Sequence, residues 1–210
     1  MKRIFVKIII VIIFFLIWAK GNAQTDDFVF DKLTIGLTPT ALMNPFSGLQ
    51  FNCDLRLHRK LKTTFEAGYI FNSIHSEKGS GYRIKFGVEF IVYQYNNSAM
   101  LLGINKIIRN VKEEQFETIY YPERYSEKIY FERSKVLNGV QVCFGEIYKI
   151  NDKLRLSFML GIGAGNLVVS DSEEFNNNNW NSFGFGFNTP GDYFYPVVSF
   201  NTKFMYSIFK

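Results

Sequence analysis

Apolar and polar residues alternate with a period of two along much of the chain. Leu49, Phe51, Cys53, Leu55 and Leu57 share one phase; Gln50, Asn52, Asp54, Arg56 and His58 share the other. Successive side chains of an extended strand point to opposite faces, so this pattern predicts a strand with one apolar and one polar side. Tyr82, Ile84, Phe86, Val88, Phe90 and Val92 repeat it against Arg83, Lys85, Gly87 and Glu89. Leu154, Leu156, Phe158, Leu160, Ile162 and Ala164 repeat it against Arg155, Ser157, Met159, Gly161, Gly163 and Gly165. Near the end, Phe204, Tyr206 and Ile208 alternate with Lys203, Met205 and Ser207. Weaker patterns predict strands over 32–38, 63–71, 99–107 and 135–147, the last carried by Val140, Val142 and Phe144. The expectation is an all-β chain of eight strands with no amphipathic helix after the leader.

The predicted connections alternate in length. Turns are expected near Arg59-Lys60, at Asn96-Asn97-Ser98 and at Asn151-Asp152. Longer stretches separate the other pairs: Pro39 to Ser47, Asn72 to Ser80, a charged segment from Ile108 to Ser134, and a polar one from Ser170 to Asp192. In an up-and-down barrel every second connection lies at the same end. One end would then carry tight turns and the other loops, as in bacterial outer-membrane barrels.

The first residues read as an address. Lys2 and Arg3 give a positive start, Ile8 to Trp18 is an unbroken apolar run, and Gly21-Asn22-Ala23 is a small-x-small cleavage signal. That order is the pattern of a secretory signal peptide, residues 1–23, leaving 24–210 as one barrel domain. The alternative is an uncleaved anchor, for which the apolar run is short against the roughly 20 residues of a full span.

Charge narrows the function classes. Of 24 Lys plus Arg, Lys2, Arg3, Lys7 and Lys20 fall in the leader, so the rest is nearly balanced against 19 Asp plus Glu. A nucleic-acid binder needs a concentrated basic face, which this distribution does not supply. With two Cys in 210 residues, a disulfide-stapled mini-protein and a multi-Cys zinc site are both excluded. Cys53 and Cys143 fall in opposite strand phases, which argues against a disulfide between them.

Volume suggests which face points outward. Eight strands enclose an interior only wide enough for side chains to fill. The apolar phase is bulky, with Phe51, Phe86, Phe90 and Phe158. The polar phase carries Asp54, Arg56, Glu66, Arg83, Lys85, Glu89, Arg155 and Lys203 with several glycines. Opposite charges that pair fit a narrow lumen, whereas the bulky set would crowd it. Hydrocarbon offers no hydrogen-bond partners, so strands cross it only as a closed barrel. Tyr93, Tyr95, Tyr148, Tyr193, Phe194, Tyr195 and Phe209 gather near strand ends, as aromatic belts at the two membrane surfaces would.

On these residues the chain resembles the small eight-stranded outer-membrane barrels of the outer-membrane protein A and X type. The leader ending Gly21-Asn22-Ala23, the short and long connections and the closing strand Phe200 to Phe209 carry the resemblance. It implies a transmembrane antiparallel barrel in the outer membrane, inserted by the barrel-assembly machinery and in contact with outer-membrane lipid. The group usually ends on an aromatic residue, whereas here Lys210 follows Phe209.

Little in the sequence points to catalysis. Some barrels of this size modify lipid A with a His, a Ser and a carboxylate. His75 beside Ser76, with Asp171, imitates such a set, but the His-x-Ser tripeptide of the deacylases is absent. His58 is expected at a turn. Gly161, Gly163 and Gly165 lack the spacing and the following helix of a dinucleotide loop, and are expected to make room for Arg155, Arg83 or Phe side chains. The segment Glu113 to Arg133, with Glu114, Glu117, Glu123, Glu127 and Glu132, is expected to be a solvated loop that forms a hairpin in part. Trp180, Phe183 and Phe185 offer aromatics in the last loop to an extracellular partner. The expected role is therefore structural or adhesive, without catalytic activity, cofactor, metal or nucleic acid. A soluble secreted calycin-like barrel holding an apolar ligand and a lipid A-modifying enzyme are the alternatives.

Overall fold

The computed structural model describes residues 29–43, 46–73, 78–95, 97–120, 126–172 and 190–209. The leader reading, residues 1–23, lies outside the described residues, as do His75, Ser76, Trp180, Phe183 and Phe185. Eight antiparallel strands follow one another around a closed barrel: β1 (Leu33–Leu37), β2 (Phe46–His58), β3 (Leu61–Ser73), β4 (Gly79–Gln94), β5 (Ser98–Tyr120), β6 (Ser126–Lys149), β7 (Leu154–Asp171) and β8 (Gly191–Phe209). Each strand pairs with its neighbour in sequence. The ring closes where β1 meets β8, from Leu33 opposite Phe209 to Leu37 opposite Phe204, with an irregularity after Leu33. The described residues contain no α-helix; Pro39–Met43 forms a 3-10 turn.

The period-two pattern decides the faces. Along β2, Leu49, Phe51, Leu55 and Leu57 are exposed, while Gln50, Asn52 and Asp54 are buried. Along β7, Leu154, Phe158, Leu160 and Ile162 are exposed against buried Arg155, Ser157 and Met159. Phe51 is 61% exposed while Asp54 is 3% exposed, so the bulky apolar set lies outside and the ionised set inside. Lys106 is an exception: it shares the outward phase of β5, opposite Phe86 and Val140.

Inward glycines let the strands and their side chains come close. A Cβ added at Gly163 would stand 2.0 Å from the Val140 carbonyl oxygen of the neighbouring strand. At Gly161 it would meet the side chains of Gln141 and Ser199. The glycines of β7 therefore accommodate the β6 backbone, Gln141 and Ser199 rather than Arg155, Arg83 or a Phe ring.

Two expectations change. The charged segment from Ile108 to Ser134 is mostly strand, because β5 and β6 stay in register from Ser98 opposite Tyr148 to Tyr120 opposite Ser126. Its high charge reflects one ribbon with ionised groups on both faces, and it leaves only 121–125 for the connection. Tyr193 and Tyr195 pack against the lumen cluster of Ile107, Leu137, Leu167, Val169 and Val197, so they do not belong to an outward belt. Phe194 between them does face out, at 77% exposure.

Candidate functional site

Three features stand out: the filled lumen, the ribbon at one end, and a groove on the outward wall at the other. The middle of the lumen is a chain of alternating charges built from β2, β3, β4 and β8. Lys62 pairs with Asp54 and, at 3.0 Å, with Glu89. Lys203 reaches across from β8 to Glu66 at 2.7 Å and Glu89 at 3.4 Å. Lys85 meets Glu66 at 3.4 Å and donates to Asn201 Oδ1 at 2.9 Å. Gln50 donates to Glu66, and Arg83 donates to Gln50 and to the Phe46 carbonyl. Asp54, Glu66 and Glu89 thus face Lys62, Lys85 and Lys203, and their formal charges cancel. Burial of so many ionised groups is tolerable only because each has an opposite partner.

Of the sequence-predicted lumen residues, Asp54, Glu66, Lys85, Glu89 and Lys203 come together in this chain. Arg83 borders it. Arg155 lies lower and pairs with Asp31. Arg56 is half-buried at the rim, where it donates to the Phe30 carbonyl. Lys62 was not among the predicted lumen residues, because the third strand begins at Leu61, two residues before the predicted 63–71. Asp31 was not among them either; it precedes β1 and has no periodic signal. Phe30 and Asp31 enter the short-turn end of the barrel. Phe30 packs there with Ile91, Leu101, Ile147 and Met205.

At the opposite end, the charges that seemed to belong to a loop are lumen residues. Glu113 is wholly buried and pairs with Lys135 at 2.7 Å. Arg133 holds Asp171 through two hydrogen bonds, of 2.7 and 2.8 Å. Asp171 is therefore committed to a structural partner. Continuing the inward phase Ile107, Arg109, Val111 would have placed Glu113 inside.

Above these pairs the barrel wall stops and the ribbon continues. The last rung of β4 with β5 is Gly79 opposite Glu113, and the last of β6 with β7 is Arg133 opposite Asp171. The Glu114 N–H still donates to the Lys78 carbonyl and the Glu132 carbonyl still accepts from Ser172, so β5 and β6 pair only with each other from Gln115 opposite Phe131 to Tyr120 opposite Ser126. At about 3.4 Å per residue, that is a projection of about 17 Å. On one face the Phe116 and Tyr130 rings meet at 6.0 Å, tilted by 51°, and both are exposed, with the Lys128 ammonium 4.6 Å from the Phe116 ring.

The third feature lies outside, at the short-turn end. A groove of about 930 Å³ runs across β5, β6 and β7 beneath the β4–β5 turn. Glu146 belongs to the outward phase of β6, between Met100 and Phe158 in register. Ser98 donates to its Oε1 at 2.8 Å and Tyr148 donates to Oε2. Tyr93 and Tyr95 stand edge to face at 4.7 Å, and Tyr148 and Phe158 do so at 6.3 Å.

The remaining candidates are spread out. His58 is exposed at the end of β2. Cys143 is buried in the lumen and Cys53 half-buried on the outward side, both as free thiols. Among the described residues no helix is long and apolar enough to cross a membrane, which says nothing of strands. Comparison with protein-family models, characterised proteins and solved structures gives no match.

Proposed function

We propose that the chain is an outer-membrane β-barrel protein whose barrel anchors a surface ribbon and loops for contact with an extracellular partner. One observation carries the reading: apolar side chains wrap the outside of a closed cylinder whose inside is packed with paired charges. Water outside would leave a belt of Phe, Leu and Ile exposed far beyond the few hundred Å² usual for a soluble surface. Hydrocarbon outside makes the same belt favourable, and ring closure leaves no strand edge unpaired in it. On β7 the outward apolar run is Leu154 to Ala164, followed by exposed Asn166. Eleven residues tilted by roughly 40° span about 25 Å, the height of an outer-membrane barrel's apolar band.

The lumen supports an anchoring role rather than transport or ligand storage. A calycin-like carrier keeps an apolar hollow, whereas the middle of this interior is occupied by Glu66, Glu89, Lys62, Lys85 and Lys203. The partner-facing surface is then the long-connection end, where the ribbon stands above the wall. Signal-directed export and insertion by the assembly machinery belong to the same reading.

Cell fractionation combined with surface protease digestion tests it. The expected result is retention in the outer-membrane fraction, heat-shifted gel mobility, and cleavage confined to 121–125 and 173–189. Recovery as a soluble exported protein with no heat shift would overturn the assignment, and a ligand extracted from it would favour the calycin reading. A change in lipid A mass on deletion would favour the enzyme instead.

A further inference from the structure

We propose that the outward groove around Glu146 binds the head of a membrane lipid carrying a primary ammonium group. The inference rests on the outer-membrane reading and adds a ligand to it. The first observation is a carboxylate on a predominantly apolar outward face, three rungs along β6 from Val140, the partner of the outward Lys106. Its outward neighbours along β6 are Val142, Phe144 and Tyr148, and in register it sits between Met100 and Phe158. Among the described residues no cation pairs with it; Ser98 and Tyr148 alone satisfy it. An ionised carboxylate has about four acceptor positions, so two remain for a donor from outside.

The surroundings specify that donor. Tyr93, Tyr95 and Tyr148 line the same groove, and aromatic ring faces attract cations. A carboxylate inside an aromatic wall is a cation site. The free acceptor positions favour a primary ammonium, which has three N–H donors, over a quaternary one, which has none. The groove, about 930 Å³ and open along the wall, is large enough to receive a lipid head group.

The groove also has the polarity of a lipid. Glu146 and Tyr148 lie toward the short-turn end of β6. One rung further from that end, Leu102, Phe144, Leu160 and Phe200 stand side by side across four strands. A head held at Glu146 would send its acyl chain over that apolar row, away from the short-turn end. In the proposed topology the short turns face the periplasm, so the lipid belongs to the inner leaflet.

The test uses the purified full barrel inserted in vesicles of equal parts phosphatidylethanolamine, phosphatidylcholine and phosphatidylglycerol with matched chains. The protein is released into mild detergent and its retained lipid is read by native mass spectrometry. Insertion is scored separately by heat-shifted mobility. Wild type should retain the ethanolamine lipid about tenfold over each of the others, equivalent to ~1.4 kcal/mol. Glu146→Gln should bring that ratio near one while inserting normally, and Tyr148→Phe should lower it in part. Insertion without head-group preference in the wild type, or a preference that survives Glu146→Gln, would overturn the groove assignment and leave the membrane reading intact. Failure of the wild type to insert in any vesicle would overturn both.

Discussion

Replacing Lys203 with Met tests whether the lumen is held by charge balance. The substitution keeps chain length and volume but removes the ammonium that bridges Glu66 at 2.7 Å and Glu89 at 3.4 Å. Asp54, Glu66 and Glu89 then face only Lys62 and Lys85. Removing one partner of a buried ion pair typically costs about 3–5 kcal/mol, since the other charge is left in a poorly solvated place. Which second change relieves the loss follows from the wiring. With Lys203→Met and Glu89→Gln together, Lys62 keeps Asp54 and Lys85 keeps Glu66, so two complete pairs remain. With Lys203→Met and Glu66→Gln, Lys85 loses its carboxylate and Glu89 must share Lys62 with Asp54. The first double variant should recover ~1–3 kcal/mol of coupling, and the second clearly less. Unfolding by guanidinium of the barrel refolded in vesicles, followed by far-ultraviolet circular dichroism and gel mobility, gives the six free energies the two cycles need: wild type, Lys203→Met, Glu89→Gln, Glu66→Gln and the two double variants. The reasoning is refuted if Lys203→Met costs less than about 1 kcal/mol, far below the usual penalty for such a removal. Equal recovery in the two double variants would refute it as well.

Further expectations concern the wall, the glycines and the ribbon. Leu160→Arg, in the middle of the outward band, should cost about 2–4 kcal/mol in vesicles, while Leu154→Arg at its edge should cost ~0–1; equal small losses in equilibrium unfolding would mean that water, not hydrocarbon, meets this face. Gly163→Ala drives a Cβ to 2.0 Å from a backbone oxygen and should lose roughly 1–3 kcal/mol, against little for Ser170→Ala on the same strand, read as a shift in the guanidinium midpoint. Replacing 116–130 by an Asn-Gly turn between Gln115 and Phe131 should leave heat-shifted mobility unchanged and abolish cell-surface adhesion; unchanged adhesion would move the contact surface to another loop. Replacing Trp180, Phe183 and Phe185 together by Ser probes that loop in the same assay.

The alternation in β2, β4, β7 and β8 was enough to place most of the wall, because each strand has one apolar face with few interruptions. The middle charge chain was legible for the same reason: Asp54, Glu66, Lys85, Glu89 and Lys203 all fall in the phase opposite to the aromatics. Legibility failed where the alternation has no apolar face to mark it. In 108–134 ionised residues occupy both phases, so a paired ribbon looks like a solvated loop. Lys62 was lost at a strand boundary, since it is only the second residue of β3, right after the Arg59-Lys60 turn. Phe30 and Asp31 gave no signal at all, since their place inside the barrel depends on Arg155, Arg56 and Lys62 from distant strands. Tyr193 and Tyr195 misled because proximity to a strand end says nothing about which side a ring takes.

The short first strand has a consequence for how the molecule comes into being. Seven of the eight junctions join neighbours in sequence and can zip up locally from their turns. The eighth joins Leu33–Leu37 to the last strand, so it must wait until the whole chain has been delivered. Until then two open margins, those of β1 and β8, remain sticky templates for any extended peptide. Sealing by a five-residue strand offers little adhesion to offset the entropy of circularising the sheet. This closing junction spans the greatest distance in sequence and is expected to form last, read as the latest amide protection in a folding time course.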